Sequence, residues 1–303
     1  DLYFQGCFSA GAPACTLFRK GDSSWKDIRS RFWTWADGLD DEPLLLTADD
    51  GSRVFIRSGD IRANLFNTVY DAVALSKPMA DVFNDLIEGR TEPYMPLLGI
   101  SPTPGTCSNV SNAQWASVER RNSVICLDGD DASSYGRDYW KKHLKNHLNA
   151  SAVGGAVLAT PKITCAGWRA RPNWVYKGPF GTPKPSKDGH IARLGKGSPT
   201  APLLFMSNRW DPITPLGSAR KMAKAHPGAG LLIQESIGHG AIRGPFGPCV
   251  KKALAEYFDS GVVPAEELSC KPTRGPWDAD EDSSFEPLRT SLTKLSGIPS
   301  LLI

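Results

Sequence analysis

Residues Pro202–Gly240 read PLLFMSNRWDPITPLGSARKMAKAHPGAGLLIQESIGHG, and their order of apolar runs and helical periods decides the fold. Leu203 to Met206 and Leu231 to Ile233 are short apolar runs bounded by turn residues, as buried strands are. Between them Ala219, Met222 and Ala223 fit one face of a helix, and Gly228 to Gly230 makes a turn. Downstream, Val250, Ala253, Leu254, Tyr257 and Phe258 recur at i, i+3, i+4, i+7 and i+8, a second helix stopped at Gly261. Strands alternating with helices imply a parallel sheet, so the expected class is α/β. Two strands do not make a sheet alone, and too few convincing strands lie upstream to complete one.

The residues that follow those strands carry the candidate chemistry. Asp211 ends the segment Ser207-Asn208-Arg209-Trp210-Asp211 and opens Asp211-Pro-Ile-Thr-Pro215, while His239 sits in Gly238-His-Gly240. In open α/β sheets functional groups collect beyond the carboxyl ends of the strands, so both residues are expected on one sheet edge. A carboxylate there can hold one imidazole tautomer and leave the other ring nitrogen as a general base. Glycines on both sides let the histidine loop turn sharply. The plainer alternative is that Asp-Pro opens a turn, its side chain bonding nearby backbone.

Outward from this stretch the first third reads as helical. Ser23 or Ser24 caps a helix with Trp25, Ile28, Phe32 and Trp35 on one face, closed by Gly38. A second helix carries Ile61, Leu65, Val69 and Val73. A third has Ser76 as cap and Pro78 in its first turn, presents Val82, Phe83, Leu86 and Ile87, and stops at Gly89. This is expected to be an all-α unit, residues 7–120. From 121 to 303 the expectation is the sheet-bearing part. There Ser123 to Leu127 reads as a strand ending in Asp128-Gly129, Ser134 to Leu148 as an amphipathic helix, and Pro172 to Pro202 as a loop. Residues 1–6, DLYFQG, match most of a viral-protease recognition site and read as a tag remnant outside the fold.

Composition excludes more than it identifies. The 303 residues are 41% hydrophobic and 22% charged with a formal charge of +3, and no long block of like charge points to nucleic acid or a membrane surface. No apolar run approaches the roughly 18–20 residues that span a bilayer. The seven cysteines form no C-x-x-C and do not sit at zinc-finger spacing from histidines, so neither metal nor cofactor is expected. With the sequons Asn109-Val-Ser111 and Asn149-Ala-Ser151 they favour an oxidising, secretory compartment and a glycoprotein.

The stretch from Pro202 to Cys270 resembles the C-terminal region of secreted tripeptidyl-aminopeptidase-like α/β-hydrolases, related to prolyl aminopeptidases. The resemblance rests on Asp211-Pro-Ile-Thr-Pro215, Gly238-His-Gly240, Cys249-Val250, Tyr257-Phe258, Gly261, Pro264 and Cys270. Cys126-Leu-Asp128, Cys165-Ala-Gly-Trp168 and the opening Cys7-Phe-Ser-Ala-Gly-Ala-Pro-Ala-Cys15 also look like family positions, so it covers most of residues 7–275. It implies the C-terminal part of an α/β-hydrolase sheet with a mainly helical cap. It further implies Asp211 as triad acid, His239 as general base, and a Cys249–Cys270 disulfide. Cys7–Cys15 and Cys126–Cys165 are the other bridges it allows, with Cys107 left over. The implied activity is a serine exopeptidase releasing short peptides from free N-termini.

One part of the pattern is missing. The family nucleophile is a serine in G-x-S-x-G on a tight strand-to-helix turn, and no such motif occurs in the chain. Its nearest match, Cys7-Phe-Ser9-Ala-Gly11, has no apolar strand before it. The serine and oxyanion hole are therefore expected on sequence or a chain not shown, with the N-terminal half of the hydrolase as partner and a peptide or small acyl compound as substrate. An esterase or lactonase on the same scaffold, or a non-catalytic binding protein, remains open. His143 and His147 are four apart but lack the glutamate of H-E-x-x-H, and Gly195-Lys-Gly-Ser198 departs from a P-loop in its spacing. Asp128 takes no role.

Overall fold

The structure is a computed structural model and describes residues 1–47, 53–91, 112–177 and 202–278. Its contacts divide the chain into two compact units. Of the described residues, one unit takes 1–67 and 78–176, and the other takes 68–77, 177 and 202–278.

The first unit is built from helices α1 (Leu2–Ala10), α2 (Trp25–Gly38) and α3 (Ser58–Asn67), most of α4 (Ala72–Ile87), and α5 (Asn112–Asp128), α6 (Arg137–Ala150) and α7 (Gly155–Thr164). α2 begins where its capping box requires: Asp27 Oδ2 accepts the backbone N–H of Ser23 at 2.8 Å and of Ser24 at 2.9 Å. Its inward face buries Ile28, Phe32 and Ala36. Around Phe32 the rings of Phe4, Trp33, Trp35 and Phe83 lie at centroid distances of 5.4, 5.0, 5.8 and 5.1 Å. Burying each such ring stabilises the unit by roughly 1.5–3 kcal/mol.

Several expectations are corrected here. The DLYFQG stretch is not outside the fold: it forms the first turns of α1, and Phe4 is buried against Phe32. The unit is not all-α either, because β1 (Leu44–Thr47) and β2 (Arg53–Ile56) pair as an antiparallel hairpin. Leu46 and Ile56 face inward and are fully buried, while Leu45 and Phe55 face outward, the period-2 alternation of a half-buried ribbon. Ser123 to Leu127 is the end of α5, not a strand. In that run only Cys126 is buried, bonded to Cys165 and packed with Ala132, whereas Val124 is exposed. A five-residue apolar run does not distinguish the two structures by period. Residues 121–176 accordingly group with the helices, not with the sheet.

The boundary between the second and third helices also moves. α3 ends at Asn67, a 3₁₀ turn covers Thr68–Asp71, and α4 begins at Ala72, four residues before Ser76. Ser76 is inside the helix, its hydroxyl donating to Ala72 O at 2.6 Å, and Pro78 also lies inside. α6 runs close to its expected span. α7, unforeseen, turns tightly against it at Gly155, where a Cβ would lie 2.3 Å from His147 O.

The second unit is the expected α/β arrangement. β3 (Leu204–Trp210), β4 (Gly230–Ile237) and β5 (Leu268–Cys270) form a parallel sheet in the order β3-β4-β5. α8 (Leu216–Ala225) covers one face through Leu216, Ala219 and Ala223 against Phe205, Leu231 and Ile233. α9 (Pro248–Ser260) covers the other through Val250 and Ala253 against Leu204, Met206 and Leu232. Odd strand positions thus meet α8 and even ones meet α9. α9 stops at Gly261, whose φ of 69° is the left-handed cap that glycine adopts without strain. β3 and β4 outrun their apolar runs: the ladder continues through Ser207, Asn208 and Gln234, and β4 runs on through Ser236, all four buried. β3 has no pairing strand on its outer side among the described residues.

Three disulfides, Cys7–Cys15, Cys126–Cys165 and Cys249–Cys270, join the pairs the resemblance implied. Cys107 lies outside the described residues, as do the Asn109 sequon and the Gly195-Lys-Gly-Ser198 segment. No helix among the described residues is long and apolar enough to cross a membrane.

Candidate active site

β3 ends at Trp210, and the next residue, Asp211, turns its carboxylate under the following loop. Oδ1 accepts the backbone N–H of Ile213 at 2.9 Å and of Thr214 at 2.8 Å. Oδ2 accepts the Thr214 hydroxyl at 2.8 Å and the Gly240 N–H at 2.9 Å. The turn-opening role of Asp-Pro is therefore real, and the same carboxylate also holds the histidine loop. Its side chain is 1% exposed. Burial pushes its pKa up, but the hydrogen bonds from Gly240, Thr214 and Ile213 outweigh that and leave it below the usual carboxylate range. Asp211 is thus an anion that the loops are built to hold.

β4 ends at Ile237, and Gly238 and Gly240 adopt φ values of 112° and 79°. At Gly238 a side chain would be strained by that positive φ, and its Cβ would lie a tight 3.2 Å from both Ala72 Cβ and Val69 O. These two glycines turn His239 back toward β3. His239 Nδ1 lies 3.3 Å from both Oδ1 and Oδ2 of Asp211 and 3.2 Å from Thr214 Oγ1. Because that hydroxyl donates to Asp211, it accepts from Nδ1–H, and the network selects the Nδ1-protonated tautomer. Nε2 is then the basic nitrogen, and it has no hydrogen-bond partner among the described residues. The ring is 27% exposed, enough to meet a reactant.

Segment 68–77 completes the surroundings of the ring. Val69 O accepts the His239 backbone N–H. The Tyr70 ring stands at 85° to the imidazole with centroids 5.3 Å apart. A small pocket beside the ring is lined by Tyr70, Asp71, Ala72 and Asn208 together with the histidine loop. On β3, Asn208 donates from Nδ2 to Gly238 O at 2.9 Å.

The structure therefore brings together the two residues that strand order singled out. Thr214 was visible only as a letter of the Asp-Pro motif, and Asn208 only as a polar residue at a strand end. For Val69 and Tyr70 there was no signal, because some 170 residues separate them from His239 in sequence.

The remaining candidates stand elsewhere. Ser9 is exposed on α1, inside a helix and not on a strand-to-helix turn. No serine hydroxyl among the described residues bonds the imidazole of His239. His143 Nε2 meets Ala159 O at 3.2 Å and His147 Nδ1 meets His143 O at 3.0 Å, so each spends a ring nitrogen on backbone.

Residues 151–270 match the model of a family described as TAP-like protein, of the α/β-hydrolase (Abhydrolase) type. The matched segment contains both Asp211 and His239, and it supports an α/β-hydrolase character for this region. No curated protein matches the chain.

Proposed function

We propose that this chain supplies the acid and the base of a secreted serine hydrolase, with the serine on sequence or a chain outside these 303 residues. The observation that carries the reading is the Asp211–His239 pair: a buried carboxylate on Nδ1, and, on a partly exposed ring, an Nε2 without a partner among the described residues. The match to TAP-like proteins adds the hydrolase class. The unpaired outer side of β3 fits a sheet that continues into the N-terminal half of the same hydrolase. Three disulfides and the exposed Asn149 of a sequon fit a secreted glycoprotein.

In this reading the serine Oγ attacks the acyl carbonyl and its proton passes to His239 Nε2. The Asp211 anion stabilises the resulting imidazolium through Nδ1–H. His239 then gives that proton to the leaving amine, and water activated by the same nitrogen hydrolyses the acyl-enzyme. The proposed substrate is a peptide with a free N-terminus.

A serine-reactive fluorophosphonate tests this on the natural protein. The expected result is a labelled longer chain or companion polypeptide. Asp211→Asn is expected to lower turnover of N-terminally free peptide anilides by about 10³–10⁴, and His239→Ala to do at least as much. Labelling of this chain alone would return Ser9 to the mechanism and sink the assignment of the nucleophile. No labelled species at all would make the scaffold a binding protein. Faster turnover of esters or lactones than of peptides would replace the exopeptidase with an esterase or lactonase.

A further inference from the structure

The peptide that carries the imidazole is held by the strand that carries the acid. Asn208, three residues before Asp211 on β3, is 2% exposed, and its Nδ2 donates to Gly238 O. The Gly238 N–H donates to Trp210 O at 3.2 Å. Both polar backbone groups of Gly238 are thus tied to β3, across the point where the β3–β4 register shifts between Asn208 and Trp210. Past that shift an amide side chain does what the ladder did before it. On its other side Gly238 abuts Ala72 and Val69 O, so the peptide before His239 is fixed from two directions.

Packing alone does not account for Asn208. Its Oδ1 has no partner among the described residues, and a buried acceptor left unmet costs about 1–3 kcal/mol. An apolar residue would fill the position without that cost. Gln234 is the cross-strand partner of Asn208, on the same face and fully buried, and neither of its amide atoms has a partner among the described residues. The two differ in one respect: only Asn208 bonds the histidine loop.

We infer that Asn208 is a positioning residue for His239. It fixes the Gly238–His239 peptide so that Nδ1 stays on Asp211 and Nε2 remains the basic nitrogen. The inference rests on the acid–base reading of that pair, but its test does not require turnover.

The test is nitrogen NMR of the His239 ring, with amide hydrogen exchange, on the full chain. Asn208→Asp keeps the shape and sets a carboxylate oxygen against Gly238 O, Asn208→Leu removes both amide atoms, and Gln234→Leu is the control. Both Asn208 variants are expected to convert a single Nδ1–H tautomer into a mixture. They are also expected to speed exchange of the His239 amide by roughly five- to tenfold, the factor one hydrogen bond carries. Gln234→Leu leaves both readouts at their wild-type values. Wild-type tautomer and exchange in Asn208→Asp would overturn the inference, as would an equal disturbance by Gln234→Leu. If Asn208→Leu does not fold, the contrast between Asn208→Asp and Gln234→Leu decides. A wild-type chain with the single tautomer but no hydrolase partner would sink the functional reading and leave this one standing.

Discussion

The two units hold themselves together by different means. In the helical unit the centre is aromatic: Phe32 and Phe83 are almost fully buried, with Phe4 beside them, and the rings meet at tilted and edge-to-face angles. In the sheet unit Leu232 and Ile233 fill the lower part of the strands, but their carboxyl ends bury Ser207, Asn208, Asp211, Gln234 and Ser236. Three amide atoms of Asn208 and Gln234 go without partners there among the described residues. Polar burial of this kind costs stability. In the sheet unit it lies at the strand ends beside Asp211, while the helical unit has its own buried polar atoms without partners among the described residues, Thr16 Oγ1 and Trp168 Nε1 among them. One unit is centred on packed rings, and the other holds a carboxylate and an imidazole at the polar ends of its strands.

The sharpest way to break that contrast is Phe32→Ala. Loss of a ring surrounded by four others is expected to cost about 3–5 kcal/mol, read by urea denaturation. A loss under 1 kcal/mol would mean the aromatic cluster does not carry the helical unit. Next comes the Cys126→Ser, Cys165→Ser double variant. That bridge closes the longest interval of the three, a separation of 39 residues against 21 and 8. Chain entropy then gives it about 4 kcal/mol, against roughly 2.5 for Cys7–Cys15. Melting temperatures of the two double variants, compared under one condition, check the order, and a larger drop for Cys7–Cys15 would refute it.

The smallest effect belongs to the sheet's outer ion pair. Glu235 is held down to about 2 by the Arg209 guanidinium and the Ser269 hydroxyl. Its folded pKa lies below the ordinary value of about 4.3, so its stabilisation is complete above roughly pH 5 and vanishes as pH falls toward 2. Asp211, also depressed, acts in the same direction. Since the ion pair is partly solvated, Glu235→Gln is expected to cost no more than about 1 kcal/mol at neutral pH and to flatten part of the acid arm of the stability curve. An unchanged acid arm would assign that arm to Asp211 and the other carboxylates.

How far the sequence could be read differed between the units for a physical reason. Strand–helix alternation from Leu203 to Gly261 repeats at short range, so two strands of the parallel sheet, both covering helices and the Gly261 stop could be read directly. The three-residue β5 was too short to show a pattern. In the helical unit the apolar spacing was readable, but its breaks were not. Pro78 lies inside α4, not in its first turn, and the helix start falls to the 3₁₀ turn before Ala72. The hairpin was missed although Asp50-Gly51 between Leu44-Leu-Leu-Thr47 and Arg53-Val-Phe-Ile56 is a hairpin signal, because the helical reading absorbed its surroundings. Ser123 to Leu127 failed as a strand because a short apolar run carries no period.

By itself the sequence determined the α/β class, the order Asp211 then His239, and their place after successive strands, since these follow from local periodicity and from the rule that loops at strand ends carry function. Only the tertiary structure decided that Asp211 holds two loops at once, that Asn208 ties the histidine peptide to the acid's strand, and that Val69 and Tyr70 meet the imidazole. Those contacts join residues far apart in the chain, or join side chain to backbone across a register shift. No local pattern of residue types encodes where such groups meet once the chain has folded.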